Sequence, residues 1–143
     1  MTASRRSRGV VAVIPRAGRL LVIRRSQFVR RPGAYCFPGG GIESGEIEQE
    51  ALVREMHEEL NAVVLPQQRV WTSTTPWDVD LAWWLAELAD HSPLQPNAAE
   101  VESVRWLQPT ELWKLADLLE SNLAFLDAWQ RGDFVLPLDK PWN

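Results

Sequence analysis

The sequence predicts one mixed domain of the α/β or α+β class, and three observations carry that expectation. Apolar runs of strand length and stretches of helical composition alternate along the chain instead of being segregated into halves. The length, 143 residues, suits one domain, which at that size buries roughly 70% of the surface its unfolded chain exposes. Neither an internal repeat nor a linker-like stretch divides the chain, so 1–143 reads as one unit.

The elements follow in order. "TASRRSR" is locally basic, and residues 1–8 read as a flexible tail rather than a binding arm. "GVVAVIP" ends in Pro15, and "RLLVIRR" follows the turn signal "RAG", so the two read as strands joined by a short loop. From Phe28 to Gly45 the chain is rich in Gly and Pro and reads as a loop. "EIEQEALVREMHEEL" then has helical composition with no breaker, and Asn61 behind it tolerates the left-handed backbone that often ends a helix. "RVWTSTT", "VDLAWWLAEL" and "VESVRWL" read as strands, and "PTELWKLADLLE" and "NLAFLDAWQ" as helices, the latter closed by Gly132.

Composition excludes several function classes. A formal charge of −4 argues against a broad, stable nucleic-acid footprint. The single cysteine, Cys36, cannot form an internal disulfide, and nothing beside it marks it as a nucleophile. No segment has the apolar length of a signal peptide or a membrane span. A cytoplasmic protein, monomeric or homodimeric and without a membrane partner, is therefore expected.

The acidic residues are unevenly placed: Glu55, Glu58 and Glu59 lie within five positions. At about 100° per residue they share one helix flank, while Leu52, Val53, Met56 and Leu60 form an apolar stripe facing elsewhere. Like charges at i,i+3 and i,i+4 repel, so the cluster needs solvent or a counter-charge. It is either a solvated surface, with Arg54 paired to Glu50 or Glu58, or a site for a hard divalent cation such as Mg²⁺, which oxygen ligands favour. Upstream, "FPGGGIESGE" sets three consecutive glycines where backbone can approach a ligand closely, although a plain turn would also use them.

Spacing decides between these readings. Gly40, five residues, Glu46, seven residues and then "REMHEEL" resemble the box of the Nudix hydrolases, with Gly40, Glu46, Arg54, Glu55, Glu58 and Glu59 all in place and Met56 at the aliphatic position. Asn61 replaces the usual glycine after the box, and Ala62 a larger aliphatic residue; both changes lie at the helix exit, away from the carboxylates. The resemblance implies a Nudix fold, a mixed sheet between helices. It also implies hydrolysis of a nucleoside diphosphate linked to another group, with Mg²⁺ as cofactor and Mn²⁺ as a substitute. Carried onto this chain, Glu58 and Glu59 would be metal ligands, Glu55 a further ligand or the base that activates water, and the Gly39 carbonyl a backbone ligand. Arg54 would orient the glutamates.

Outside the box the chain resembles the MutT-type branch, whose members hydrolyse oxidised purine nucleoside triphosphates. Arg25, ending "LLVIRR", sits where that branch has an arginine reaching the nucleotide, and Phe37 precedes "PGG" as it does there. Glu100, six residues before Trp106, matches an extra loop carboxylate of the metal site, and Asn122 an asparagine that recognises the oxidised base. Each has a plainer alternative: an exposed strand end for Arg25, a solvated loop charge for Glu100 or Glu102, and a helix cap for Asn122 in competition with Ser121. Trp83 and Trp84 suit core packing better than base stacking, and His57 reads as a surface residue. The expected activity is conversion of a nucleoside triphosphate, 8-oxo-dGTP being one candidate, to monophosphate and pyrophosphate. Hydrolysis of ADP-ribose, for which Pro76 is suitably placed, and a nucleotide-sensing module without turnover remain as alternatives.

Overall fold

The structure, a computed structural model, describes residues 7–91 and 93–139. Its elements run β1 (Ser7–Val13), β2 (Pro15–Arg16), β3 (Arg19–Arg25), β4 (Tyr35–Cys36), β5 (Gly39–Gly41), α1 (Glu48–Leu60), β6 (Val64–Thr74), β7 (Val79–Leu88), β8 (Val101–Leu107), α2 (Pro109–Trp113) and α3 (Glu120–Arg131). One sheet has the order β5-β1-β7-β6, with β1 and β7 parallel and the other pairs antiparallel. In the second sheet, β2 and β4 pair with opposite ends of β3, and β8 pairs along it.

The two expected strands read as unbroken apolar runs because both of their faces are buried. Val10, Ala12 and Ile14, with Leu21 and Ile23, pack against Ala51, Leu52, Met56 and Leu60 of α1. The intervening Val11, Val13, Leu20 and Val22 pack against Phe125, Leu126, Ala128 and Trp129 of α3. The strand period of two thus divides the interior into two cores, one under each long helix. Trp83 is fully buried in the α3-side core, and Trp84 packs on the α1 side, where its indole donates to Glu48 Oε1 at 2.8 Å.

Four local expectations change. Ser7 and Arg8, read as part of a flexible tail, belong to β1 and pair with Val79 and Asp80, while residues 1–6 lie outside the described residues. The Gly- and Pro-rich segment contains two short strands, because the three glycines lack side chains and can lie flat against β1. A Cβ on Gly39 would stand 2.1 Å from the Val10 carbonyl oxygen. Helix α1 starts at Glu48, two residues late, because Glu46 bonds the Glu43 backbone and Arg54 instead. The helix expected over 109–120 stops at Trp113: residues 117–119 run beside β4, where Tyr35 N–H donates to the Asp117 carbonyl at 2.8 Å and Leu119 N–H to the Tyr35 carbonyl at 2.9 Å. Asn61 adopts the left-handed conformation, φ 51°, as a helix-ending asparagine should.

Candidate active site

The site forms where α1 meets the glycine strand β5. Arg54 is its organiser. Its guanidinium donates from Nε to Glu46 Oε2 at 2.7 Å and from Nη2 to Glu46 Oε1 at 2.9 Å, a two-pronged grip. Nη2 also reaches the Gly41 carbonyl at 2.8 Å, and Nη1 reaches Glu55 Oε1 at 2.9 Å and Glu58 Oε2 at 3.3 Å. Glu46 is held down to a pKa of about 2, chiefly by the hydrogen bond from Arg54. This explains the fixed distance between Glu46 and Arg54 in the sequence: the loop glutamate anchors the arginine that spaces the helix glutamates. Glu46 entered the sequence analysis only as part of a pattern, and nothing in the linear chain reveals its bidentate grip.

Two glycines make room for the acids. A Cβ on Gly40 would lie 2.3 Å from the Glu55 carboxylate, so that carboxylate rests against bare backbone. Gly39 N–H donates to Glu59 Oε1 at 3.0 Å. Glu59 is buried, with 6% of its surface exposed, and its pKa is pushed up to about 8, first by burial and then by the charge of Glu55, against the Gly39 hydrogen bond; Glu100 raises it further and Arg25 lowers it. Glu55 is also raised, by burial first, with Arg54 opposing and Glu58 and Glu100 adding. Four carboxylates that feel one another, with one buried and protonated near neutrality, make a donor set that a hard divalent cation would complete. Among the described residues, no three acidic, imidazole or thiol groups already form a cage for a metal ion, since Arg54 draws Glu55 and Glu58 to itself.

A raised carboxyl pKa has a definite sign for stability. Between the unfolded value near 4.5 and the folded value near 8, the folded chain binds more protons than the unfolded one, so stability falls as pH rises. We therefore expect the chelated protein to melt at progressively lower temperature from about pH 5 to pH 8, and Glu59→Gln to flatten that slope in a differential scanning series. An equal slope in the variant would remove Glu59 as the cause.

The other sequence-predicted residues sit around this cluster. Arg25 Nε donates to the Arg30 carbonyl at 2.6 Å, and its charge is felt by both Glu59 and Cys36. Phe37 is buried: its ring meets Phe125 edge-on at 5.4 Å and Trp83 at 6.2 Å, which leaves its backbone, not its ring, at the site. Asn122 does not cap α3. Its Oδ1 accepts from Phe37 N–H at 2.8 Å and its Nδ2 reaches Ser121 Oγ at 3.2 Å, tying the third residue of α3 to the strand-linking segment beside Gly39. Glu102 is drawn away to Arg24 at 3.2 Å, whereas Glu100 acts on Glu55 and Glu59. Cys36 is buried, with its thiol raised to about 11, as an inert core residue should be.

A fold of two sheets between helices, with a glutamate helix clamped to a glycine strand by one arginine, defines the class of phosphoanhydride hydrolases built around a carboxylate helix. The chain belongs to the NUDIX domain family, which matches residues 3–129. It is 28% identical over 134 residues to the CTP pyrophosphohydrolase of Escherichia coli strain K12, covering 91% of this chain and 96% of that protein. It is 26% identical over 102 residues to the NAD-capped RNA hydrolase NudC of Stutzerimonas stutzeri, covering 71% of this chain but only 36% of that longer protein. A crystal structure of a NUDIX hydrolase from Nitrosomonas europaea superposes with a TM-score of 0.78 at 20% identity, over 92% of this chain and 73% of that one, which shows a common fold. No described helix is long and apolar enough to cross a membrane.

Proposed function

We propose that this Nudix hydrolase is a Mg²⁺-dependent pyrophosphohydrolase of nucleoside triphosphates, with Mn²⁺ as a substitute, acting in the cytoplasm. The observation that carries the reading is the intact set of box glutamates gathered beside Gly39 and Gly40, with the Glu59 carboxyl raised by burial and by the charge of Glu55. Glu58, Glu59 and Glu100, with the Gly39 carbonyl, would hold the ion; when bound, it neutralises phosphate charge and lowers the pKa of attacking water. Glu55, its carboxyl raised by burial, would take a proton from the attacking water as the phosphoanhydride bond breaks. Pyrophosphate and nucleoside monophosphate leave. Arg54 keeps the carboxylates apart and aimed, and Arg25, whose charge acts on Glu59, would reach the nucleotide.

Oxidised purine triphosphates such as 8-oxo-dGTP remain the finer substrate proposal, with Asn122 as the base reader. The relative named CTP pyrophosphohydrolase, matched over nearly its whole length, supports the triphosphate class over ADP-ribose. Hydrolysis of a panel containing 8-oxo-dGTP, dGTP, CTP, dCTP and ADP-ribose with Mg²⁺ tests the reading. No turnover of any triphosphate would overturn it, and turnover of ADP-ribose alone would move the enzyme to the other class.

Asn122 gives a sharper test. A buried polar partner left unpaired costs about 1–3 kcal/mol, and Asn122→Ala orphans the Phe37 N–H whatever the substrate, so some loss of thermal stability is expected. If the amide also reads the base, kcat/KM for 8-oxo-dGTP should fall by about 5- to 150-fold while that for dGTP falls much less. An unchanged ratio between the two nucleotides would leave Asn122 only its structural bond to Phe37.

A further inference from the structure

A cleft of about 500 Å³ is lined by Arg25, Arg30, Arg31, Trp77 and Leu119. Trp77 stands on the turn between β6 and β7, and that turn is latched. Thr75, itself buried, donates its N–H to the Val79 carbonyl at 2.9 Å, accepts Val79 N–H on its hydroxyl at 3.0 Å and Asp78 N–H on its carbonyl at 3.1 Å. Asp78 holds a left-handed φ of 63° to close the turn. The indole is therefore presented by a fixed backbone, and it is 44% exposed. Trp71 and Trp83 meet each other and Phe125 within the aromatic core, but among the described residues Trp77 meets no other ring and its indole N–H meets no acceptor.

The rest of the cleft defines what such a ring would meet. Leu119, half-buried at the head of α3, supplies an aliphatic wall. Arg31 is already paired with Glu120 at 3.0 Å, whereas Arg30 has no acidic partner among the described residues. Arg25 pairs with Val101 at the end of β3, and Ser26 beside it donates its N–H to the Glu100 carbonyl at 3.0 Å, so this wall of the cleft adjoins the loop that carries Glu100. A rigid aromatic face, an aliphatic wall and cationic walls, with the Glu100 loop next to Arg25, suit a ligand that is flat and aromatic at one end and polyanionic at the other. We propose that Trp77 is the base-stacking residue of this site, holding the nucleotide's base in the slot between its indole and Leu119. The proposal rests on the nucleotide-hydrolase reading for the ligand's class, but it concerns binding and is tested without turnover.

The test measures dissociation constants of dGMP, CMP and the base-free probe ribose 5-phosphate by calorimetric titration of the full chain. Stacking on an aromatic side chain contributes about 1–3 kcal/mol per base. At about 1.36 kcal/mol per tenfold, Trp77→Ala should weaken both nucleotides about 5- to 150-fold, Trp77→Phe should recover most of the loss, and ribose 5-phosphate should bind all three proteins alike. Melting curves should superpose, since the ring lies outside both cores. Unchanged nucleotide affinity, equal weakening of all three probes, or a wild type that binds no nucleotide would each overturn the assignment. If the wild type binds dGMP through Trp77 yet hydrolyses no triphosphate, the catalytic reading fails and this one stands. If it hydrolyses triphosphates with a KM unaffected by Trp77→Ala, the reverse holds.

Discussion

Exhaustive chelation should lower turnover of the preferred triphosphate by at least about a thousandfold, and Mg²⁺ or Mn²⁺ should restore it. A bound divalent ion contributes several kcal/mol of charge stabilisation in phosphoryl transfer, and about 4 kcal/mol corresponds to three powers of ten. The structure adds a reason particular to this chain. Without an ion, Glu55 and Glu59 are both pushed toward their protonated forms, and a polyanionic substrate would have to approach Glu58 and Glu100 against like charge. Arg54 cannot substitute, because Glu46, Gly41, Glu55 and Glu58 already take up its guanidinium. Steady-state assays in excess chelator, followed by metal titration, measure the effect. Full activity in chelator would refute the metal requirement and with it the roles given to Glu58 and Glu59.

Glu58→Gln should lower kcat by two or more powers of ten while the melting temperature stays within a few degrees of wild type. Glutamine keeps the shape and one carbonyl acceptor but carries no charge, so a ligand to a hard cation is lost without a cavity being opened. The side chain of Glu58 is 48% exposed, and its contact to Arg54 is one surface-type ion pair at 3.3 Å. Such pairs are typically worth about 0.3–0.5 kcal/mol on a helix, and the relieved repulsion from Glu55 acts in the opposite direction. A purely structural role predicts the opposite pattern, with activity near normal and stability lowered. Parallel kcat and thermal-melt measurements on the variant separate the two.

Much of this protein could be read from the linear chain because its rules are local. The apolar runs that became β1 and β3 are local patterns, as are the spacing of Gly40, Glu46 and Arg54-Glu55-Glu58-Glu59 and the left-handed stop at Asn61, each set by neighbours a few residues away. Both helix faces followed too, since Leu52, Met56 and Leu60 had to go inward together if the glutamates were to share a flank. What the sequence determined by itself, then, was the class of domain and the spacing that sets the box glutamates on one flank of α1. Tertiary structure decided what depends on distant partners. Only the meeting of β5 with α1 buries Glu59 and raises its carboxyl, because burial and the charge of Glu55 act through space. Only the bridge from Tyr35 to residues 117–119 ends α2 early and sets Asn122 against Phe37, 85 positions away. Phe134 and Leu136, which no periodicity singled out, close the α3-side core because that core has space for them. Trp77 reads as one tryptophan among eight until the β6–β7 turn carries it to a cleft of arginines drawn from another part of the chain. Periodicity and spacing record how a residue relates to its neighbours in sequence, whereas burial, field and cleft belong to surfaces that exist only once the sheets have closed.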